Sequence, residues 1–212
     1  MICISIQEKH RGKATSLANS VDMAEIRIDL AGYKEKDVEF IFSKADCILI
    51  ATCRTNENIG SEQQISLLSA AIEAGADYVD IDINDDASVK KAILPLAKAK
   101  NCKVIVSYHN FESTPSTEEL EKLIDSCNND GADLVKIATT AQNPQDSARV
   151  LSLYSTERNL VALAMGDAGR VTRFANIALG SPFTFAAVDK DSVTAPGQFT
   201  ADQMKKILEA TV

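Results

Sequence analysis

ADLVKIAT, residues 132–139, reads as a buried β-strand interrupted by one lysine, Lys136. Its five apolar neighbours, Ala132, Leu134, Val135, Ile137 and Ala138, belong to a strand covered on both faces, as in a parallel sheet. An ammonium group in such surroundings is desolvated, which favours the neutral amine. A neutral amine is a nucleophile, and lysine used this way forms a Schiff base with a carbonyl compound. The alternative is a lysine that snorkels out at the strand end or pairs with a remote acid.

Outward from this stretch, short β-branched apolar runs recur at 2–6, 24–30, 47–53, 78–83, 103–108, 134–138, 160–165 and 183–188. Between them the apolar positions change to helical spacing: Ile65, Leu68 and Ile72; Val89, Ile93 and Leu96; Leu120, Leu123, Ile124 and Cys127; Val171, Phe174 and Ile177; Met204, Ile207 and Leu208. Ser116 with Glu119, and Thr200 with Gln203, have capping-box spacing, and Gly131 and Gly180 fall where helices should end. Pro95, inside the second of these patterns, is expected to kink or shorten its helix. Eight βα units could form an open doubly wound sheet or a closed (β/α)8 barrel. No glycine-rich dinucleotide turn follows the first strand, so the expectation is an α/β protein with the TIM-barrel fold, one domain over residues 1–212.

Composition limits the function classes. Thirty acids against 22 bases give a net charge of -8, which offers no basic surface for nucleic acid or an anionic membrane. The five cysteines, Cys3, Cys47, Cys53, Cys102 and Cys127, form no CxxC pairs, which points to a reducing cytoplasm without disulfides or a zinc site. MICISIQEKH has no basic segment ahead of a long apolar one, and no apolar run approaches membrane-spanning length. No acid cluster suggests a metal site, and no phosphate cradle is evident.

In a (β/α)8 barrel the chemistry sits at the C-terminal ends of the strands. Strand two carries Glu25, Arg27 and Asp29 at alternate positions, expected on one face of the strand; a buried ion pair filling the barrel centre is the structural alternative. Strand three ends at Arg54, followed by a polar, flexible loop, TNENIGS. Asp80 and Asp82 on strand four are either acids that support the site from behind or solvated strand-end charges, the structural role being favoured. His109, just past strand five and one strand before Lys136, is a candidate general acid and base. Met165 ends strand seven, Arg173 falls in the first turns of the next helix, and Thr194 and Gln198 lie in a Pro-Gly loop after strand eight. Arg27, Arg54 and Arg173 in an acidic protein point to an anionic, oxygen-rich small-molecule substrate.

Taken together and in order, EIRIDL, CRT, SYHNFESTPS, DLVKIA, AMGDAGRVTRF and TAPGQ resemble the type I 3-dehydroquinate dehydratases over nearly the whole chain. The resemblance implies a (β/α)8 lyase of the shikimate pathway that uses neither metal nor organic cofactor, acts on 3-dehydroquinate and forms homodimers. Lys136 then matches the Schiff-base lysine and His109 the proton-transfer histidine. Glu25, Arg27 and Arg54 hold ring hydroxyls, and Arg173 clamps the carboxylate with Thr194 and Gln198. Met165 lines the pocket. Two positions depart from the family pattern. Asn58 stands where the family has a glutamate that orients the histidine, with Glu57 one residue earlier. Either Glu57 takes the role from a loop of different shape, or Asn58 fixes the imidazole without a charge and proton transfer slows. Thr194 stands where serine is more common. Two other functions stay open: a class I Schiff-base aldolase, and a degenerate barrel that binds a cyclic polyol acid without turnover.

Overall fold

The computed structural model describes residues 1–156 and 159–211. All eight strands are present: β1 (Ile2–Ile6), β2 (Met23–Arg27), β3 (Ile48–Thr52), β4 (Tyr78–Asp82), β5 (Lys103–Asn110), β6 (Leu134–Thr140), β7 (Leu160–Met165) and β8 (Thr184–Ala187). They lie in one sheet in the order β7-β6-β5-β4-β3-β2-β1-β8, with helices between successive strands, the expected (β/α)8 barrel. The helices are α1 (Arg11–Ala18), α2 (Ile28–Ala31), α3 (Glu35–Lys44), α4 (Ser61–Glu73), α5 (Ala87–Lys100), α6 (Thr117–Asn129), α7 (Pro144–Ser152), α8 (Thr172–Ala178) and α9 (Ala201–Thr211). Two compact units divide the chain, one of Ile4–Ile105 and one of Met1–Cys3 with Val106–Val212.

In the first unit, β1, β2, β3 and β4 pair in parallel, with Ser5 level with Glu25, Arg27 level with Thr52, and Thr52 level with Asp80. Polar residues therefore recur at neighbouring positions of adjacent strands. Val38 and Ile41 of α3, Leu67, Leu68, Ala71 and Ile72 of α4, and Val89, Ile93 and Ala97 of α5 are buried at three- and four-residue spacing, so each helix covers the sheet with one apolar stripe.

Strand two ends earlier than the run 24–30 suggests. After Arg27 the chain turns into α2, closed by Gly32 at φ 68°, a left-handed conformation that favours glycine. Asp29 consequently sits on a helical turn, and the expectation that it shares a strand face with Glu25 and Arg27 is corrected. Pro95 does not shorten α5, which runs for 14 residues through it. The ring lies on the exposed side of the helix, where a carbonyl left without its intrahelical donor is not forced into the core.

In the second unit β6 and β7 pair from Val135 with Leu160 to Thr140 with Met165. Both expected capping boxes are formed. Ser116 and Glu119 bond reciprocally at the start of α6, and Thr200 and Gln203 do so at the start of α9. Gly131 and Gly180 take positive φ just beyond α6 and α8. Helices also follow strands one, two and six, where no helical pattern was read. α1 buries only Ala14, Thr15 and Ala18, and α7 buries Asp146 and Ser147 beside Val150, so neither shows an apolar stripe in sequence.

Replacing Pro95 by alanine restores a main-chain donor in the middle of α5. Proline's helix-interior penalty exceeds what it removes from unfolded-chain entropy, so Pro95→Ala should stabilise the protein by roughly 2 kcal/mol. Urea denaturation measures this, with an unchanged m-value expected.

Candidate active site

Glu25 sits in the middle of β2 and is almost fully buried. Its carboxylate accepts hydrogen bonds from the Ser5 hydroxyl on β1 (2.8 Å) and the Thr52 hydroxyl on β3 (2.9 Å), one neighbour on each side. Charge-assisted bonds of this kind compensate the desolvated anion. Arg27, two residues on, is gripped side-on by Asp29: Nε donates to Oδ1 at 3.1 Å and Nη2 to Oδ2 at 2.7 Å. The turn into α2 brings that acid round to its arginine. Burial pulls the Arg27 pKa down, but the bond to Asp29 and the charges of Glu25 and Asp29 outweigh it, and the group stands above its ordinary value.

Arg54 follows β3 by two residues and is held by Asp80. Nη1 donates to the Asp80 carbonyl at 3.1 Å, and Nη2 to the Asp80 carboxylate, whose side chain is fully buried. Burial acts against the Arg54 cation, but the carboxylates of Asp80, Asp82 and Asp85 more than offset it. Asp80 is therefore not a solvated strand-end charge but a buried acid that holds Arg54 from behind. Gln64 of α4 adds a further tie, donating to the Cys53 carbonyl (2.8 Å) and to Asp85 (3.0 Å). The loop after Arg54 is organised by a tight turn in which Asn56 Oδ1 accepts from the backbone N–H groups of Asn58 and Ile59. Ile59 is buried beneath it, while Glu57 and Asn58 are exposed at its tip, and neither side chain has a hydrogen-bond partner among the described residues.

In the second unit, His109 lies within β5, which extends to Asn110 and so reaches further than expected. Its ring stacks on the exposed Phe111 ring, centroids 6.3 Å apart. The ends of β5 and β6 are tied by Thr140 Oγ1 donating to the Asn110 carbonyl, and by Thr114 bonding both to Thr139 Oγ1 and to the Thr140 carbonyl. Lys136 is 7% exposed, which rules out the snorkelling alternative. Its Nζ lies 4.5 Å from the centroid of Phe185 on β8. Sequence reasoning missed Phe185, although the alternation in FTFAA, with Phe183 and Phe185 at every second place, is the pattern of one strand face. Met165 is buried at the end of β7.

Arg173 on α8 is 1% exposed, and no carboxylate pairs with it among the described residues. Nη2 donates to the Pro196 carbonyl at 3.1 Å, and Nε has no partner among the described residues. Burial, with a smaller contribution from Arg170, pushes its pKa down to about 10. A buried guanidinium with an unused donor is suited to an incoming anion. Thr194 and Gln198 form one structure: the Gln198 side-chain carbonyl accepts from Thr194 N (2.9 Å) and Thr194 Oγ1 (3.0 Å). Between them Gly197 takes φ 75°, and a Cβ there would lie 2.7 Å from the Gly166 carbonyl. Gly166 N in turn donates to the Pro196 carbonyl.

A family model described as type I 3-dehydroquinase matches residues 2–211. The chain belongs to the type I 3-dehydroquinase family. Among the curated relatives, 3-dehydroquinate dehydratase from Pyrococcus abyssi (strain GE5 / Orsay) is 33% identical over 198 residues, covering 91% of this chain and 88% of its own. The protein of the same name from Methanothermobacter thermautotrophicus is 34% identical, covering 98% of this chain and 95% of its own. Among solved structures, type I 3-dehydroquinate dehydratase from Clostridium difficile, with covalent modified comenic acid, superimposes with a TM-score of 0.86 at 25% identity, over 99% of this chain and 90% of that one. Among the described residues no helix is long and apolar enough to cross a membrane.

The two kinds of arginine should respond oppositely to removal of charge. Arg173→Met takes away a buried cation that has no carboxylate partner among the described residues while keeping the apolar stem, and is expected to raise Tm by roughly 2–4 °C, about 1 kcal/mol. Arg54→Met strands the buried Asp80 carboxylate and should lower Tm. Differential scanning calorimetry of the two variants tests the contrast.

Proposed function

We propose that this protein dehydrates 3-dehydroquinate to 3-dehydroshikimate through a Schiff base, as a carbon–oxygen lyase of the shikimate pathway. The observation that carries the proposal is a buried lysine amine on β6 in the same unit as a buried arginine that has no carboxylate partner among the described residues. One is suited to a ketone and the other to a carboxylate, the two functional groups of this substrate. Membership of the family and the names of the relatives support the same assignment.

In this mechanism the neutral Lys136 amine attacks the C3 ketone, and loss of water gives an iminium. The iminium acidifies the C2 proton, because the electron pair left behind delocalises to nitrogen as an enamine. His109 removes that proton. The enamine then pushes its electrons back through C2 to expel the C1 hydroxyl, and the protonated imidazole delivers the proton that lets it leave as water. Hydrolysis of the conjugated iminium frees 3-dehydroshikimate and regenerates the amine, with His109 shuttling protons in both carbonyl steps. No redox change occurs, and every proton taken is returned.

Arg173 holds the C1 carboxylate, with Thr194 and Gln198 closing against it; Glu25, Arg27 and Arg54 hold the ring hydroxyls; Met165 lines the pocket beside the lysine. Glu57 and Asn58 are assigned to orienting the histidine, a role that requires the turn at 56–59 to change shape or Asn58 to act without charge. The whole chain is taken as one catalytic domain, cytoplasmic and homodimeric, without cofactor or metal.

Intact and peptide mass spectrometry after mixing protein, 3-dehydroquinate and borohydride tests the mechanism. A substrate-dependent adduct on Lys136 is expected, absent together with turnover in Lys136→Ala. His109→Ala should still form the adduct while elimination slows by about 10²–10⁴-fold. Near-normal turnover in Lys136→Ala would sink the mechanism, and a folded protein that binds substrate without adduct or product would favour the binding-only barrel.

A further inference from the structure

The acids around Arg27 and Arg54 have a consequence for recognition. Asp29 takes both Nε and Nη2 of Arg27, and its side chain is only 3% exposed. Asp80 takes both Nη1 and Nη2 of Arg54, one through its main chain and one through a carboxylate with no exposure. Further acids stand behind each pair: Glu25 acts on Arg27, and Asp82 and Asp85 act on Arg54. An oxyanion arriving at either arginine meets a carboxylate within the same few ångströms, so the attraction of the cation is largely cancelled. A neutral hydroxyl needs only a directed N–H donor, and a guanidinium carries five. Arg173 is the opposite case, a buried guanidinium with no paired acid among the described residues and an unused Nε.

We infer that Asp29 and Asp80 are specificity-determining positioning residues: they hold Arg27 and Arg54 as charge-compensated donors that recognise hydroxyl oxygens and reject anions, which reserves carboxylate capture for Arg173. The inference rests on the reading of the barrel as a dehydratase of a polyol acid. It gives the two acids a role beyond rigidity, because a merely structural acid would leave the anion preference of its arginine unchanged. Asparagine keeps a side-chain carbonyl for the arginine to donate to while removing the charge, so Asp29→Asn and Asp80→Asn separate compensation from geometry.

The test uses inorganic phosphate as the anion probe, read as the shift in Tm of the full chain at constant ionic strength. The unaltered protein should be stabilised by phosphate through Arg173, and Arg173→Met should lose that shift. Adding Asp29→Asn and Asp80→Asn together in the Arg173→Met background should restore it, because each arginine loses its nearest counter-charge and can take an anion in its place. Should the triple variant fail to melt cooperatively, Asp29→Asn or Asp80→Asn alone in the Arg173→Met background gives the same comparison. A folded variant that stays unresponsive overturns the inference, as does an Arg173→Met protein that keeps the full phosphate shift. Turnover of 3-dehydroquinate by the unaltered protein is measured separately. Its absence would overturn the dehydratase reading, while the phosphate comparison would still decide what the acids do to their arginines.

Discussion

Desolvation of charge is the constraint on which the arrangement of polar groups depends. A parallel strand has helices on one side and other strands' side chains on the other, so an ionised group placed on it loses most of its water. The chain meets this cost by giving each charge on β2, β3 and β4 a near neighbour: two hydroxyls for Glu25, Asp29 for Arg27, Asp80 for Arg54. Lys136 on β6 lies over the face of Phe185, whose ring quadrupole attracts a cation. Arg173 is the exception that stays in the unfavourable state. Natural proteins tolerate such exceptions where a ligand completes them.

Most of the fold was legible because parallel strands are apolar on both faces and their β-branched runs stand out from the amphipathic segments between them. The two strands extended beyond their reading, β5 and β6, end in residues such as His109, Asn110 and Thr140, whose polarity looks like loop but which continue the ladder. The strand most shortened, β2, ends where Ile28 begins a helical turn; nothing in the alternation of EIRIDL marks that change, and only Gly32 hints at it. α1 escaped notice because its buried face is alanine and threonine. α3 carries Val38, Ile41 and Phe42 at helical spacing and could have been found by the same pattern that gave α4.

Of the candidate residues, the sequence could point to types and to strand ends but not to partners. Asp80 and Arg54 are 26 positions apart, and their pairing follows from the register of β3 with β4, a non-local fact. Phe185 faces Lys136 across a larger sequence gap still. By contrast, the Thr194 and Gln198 pairing is local, written into a five-residue loop with proline and glycine at its turn, and the sequence did place the two together.

The contact between Gly197 and Gly166 ties two loops that are far apart in the chain. The left-handed φ at 197 and the nearness of the Gly166 carbonyl exclude a side chain there, while Pro196 is bonded both by Gly166 N and by Arg173. The loop after β8 therefore cannot change its path on its own; the loop after β7 has to change with it. For anyone recasting this barrel toward another ring acid, the transplantable unit is the pair of loops together with the first turn of α8, because grafting one loop alone would set a foreign backbone against a carbonyl that leaves it no room.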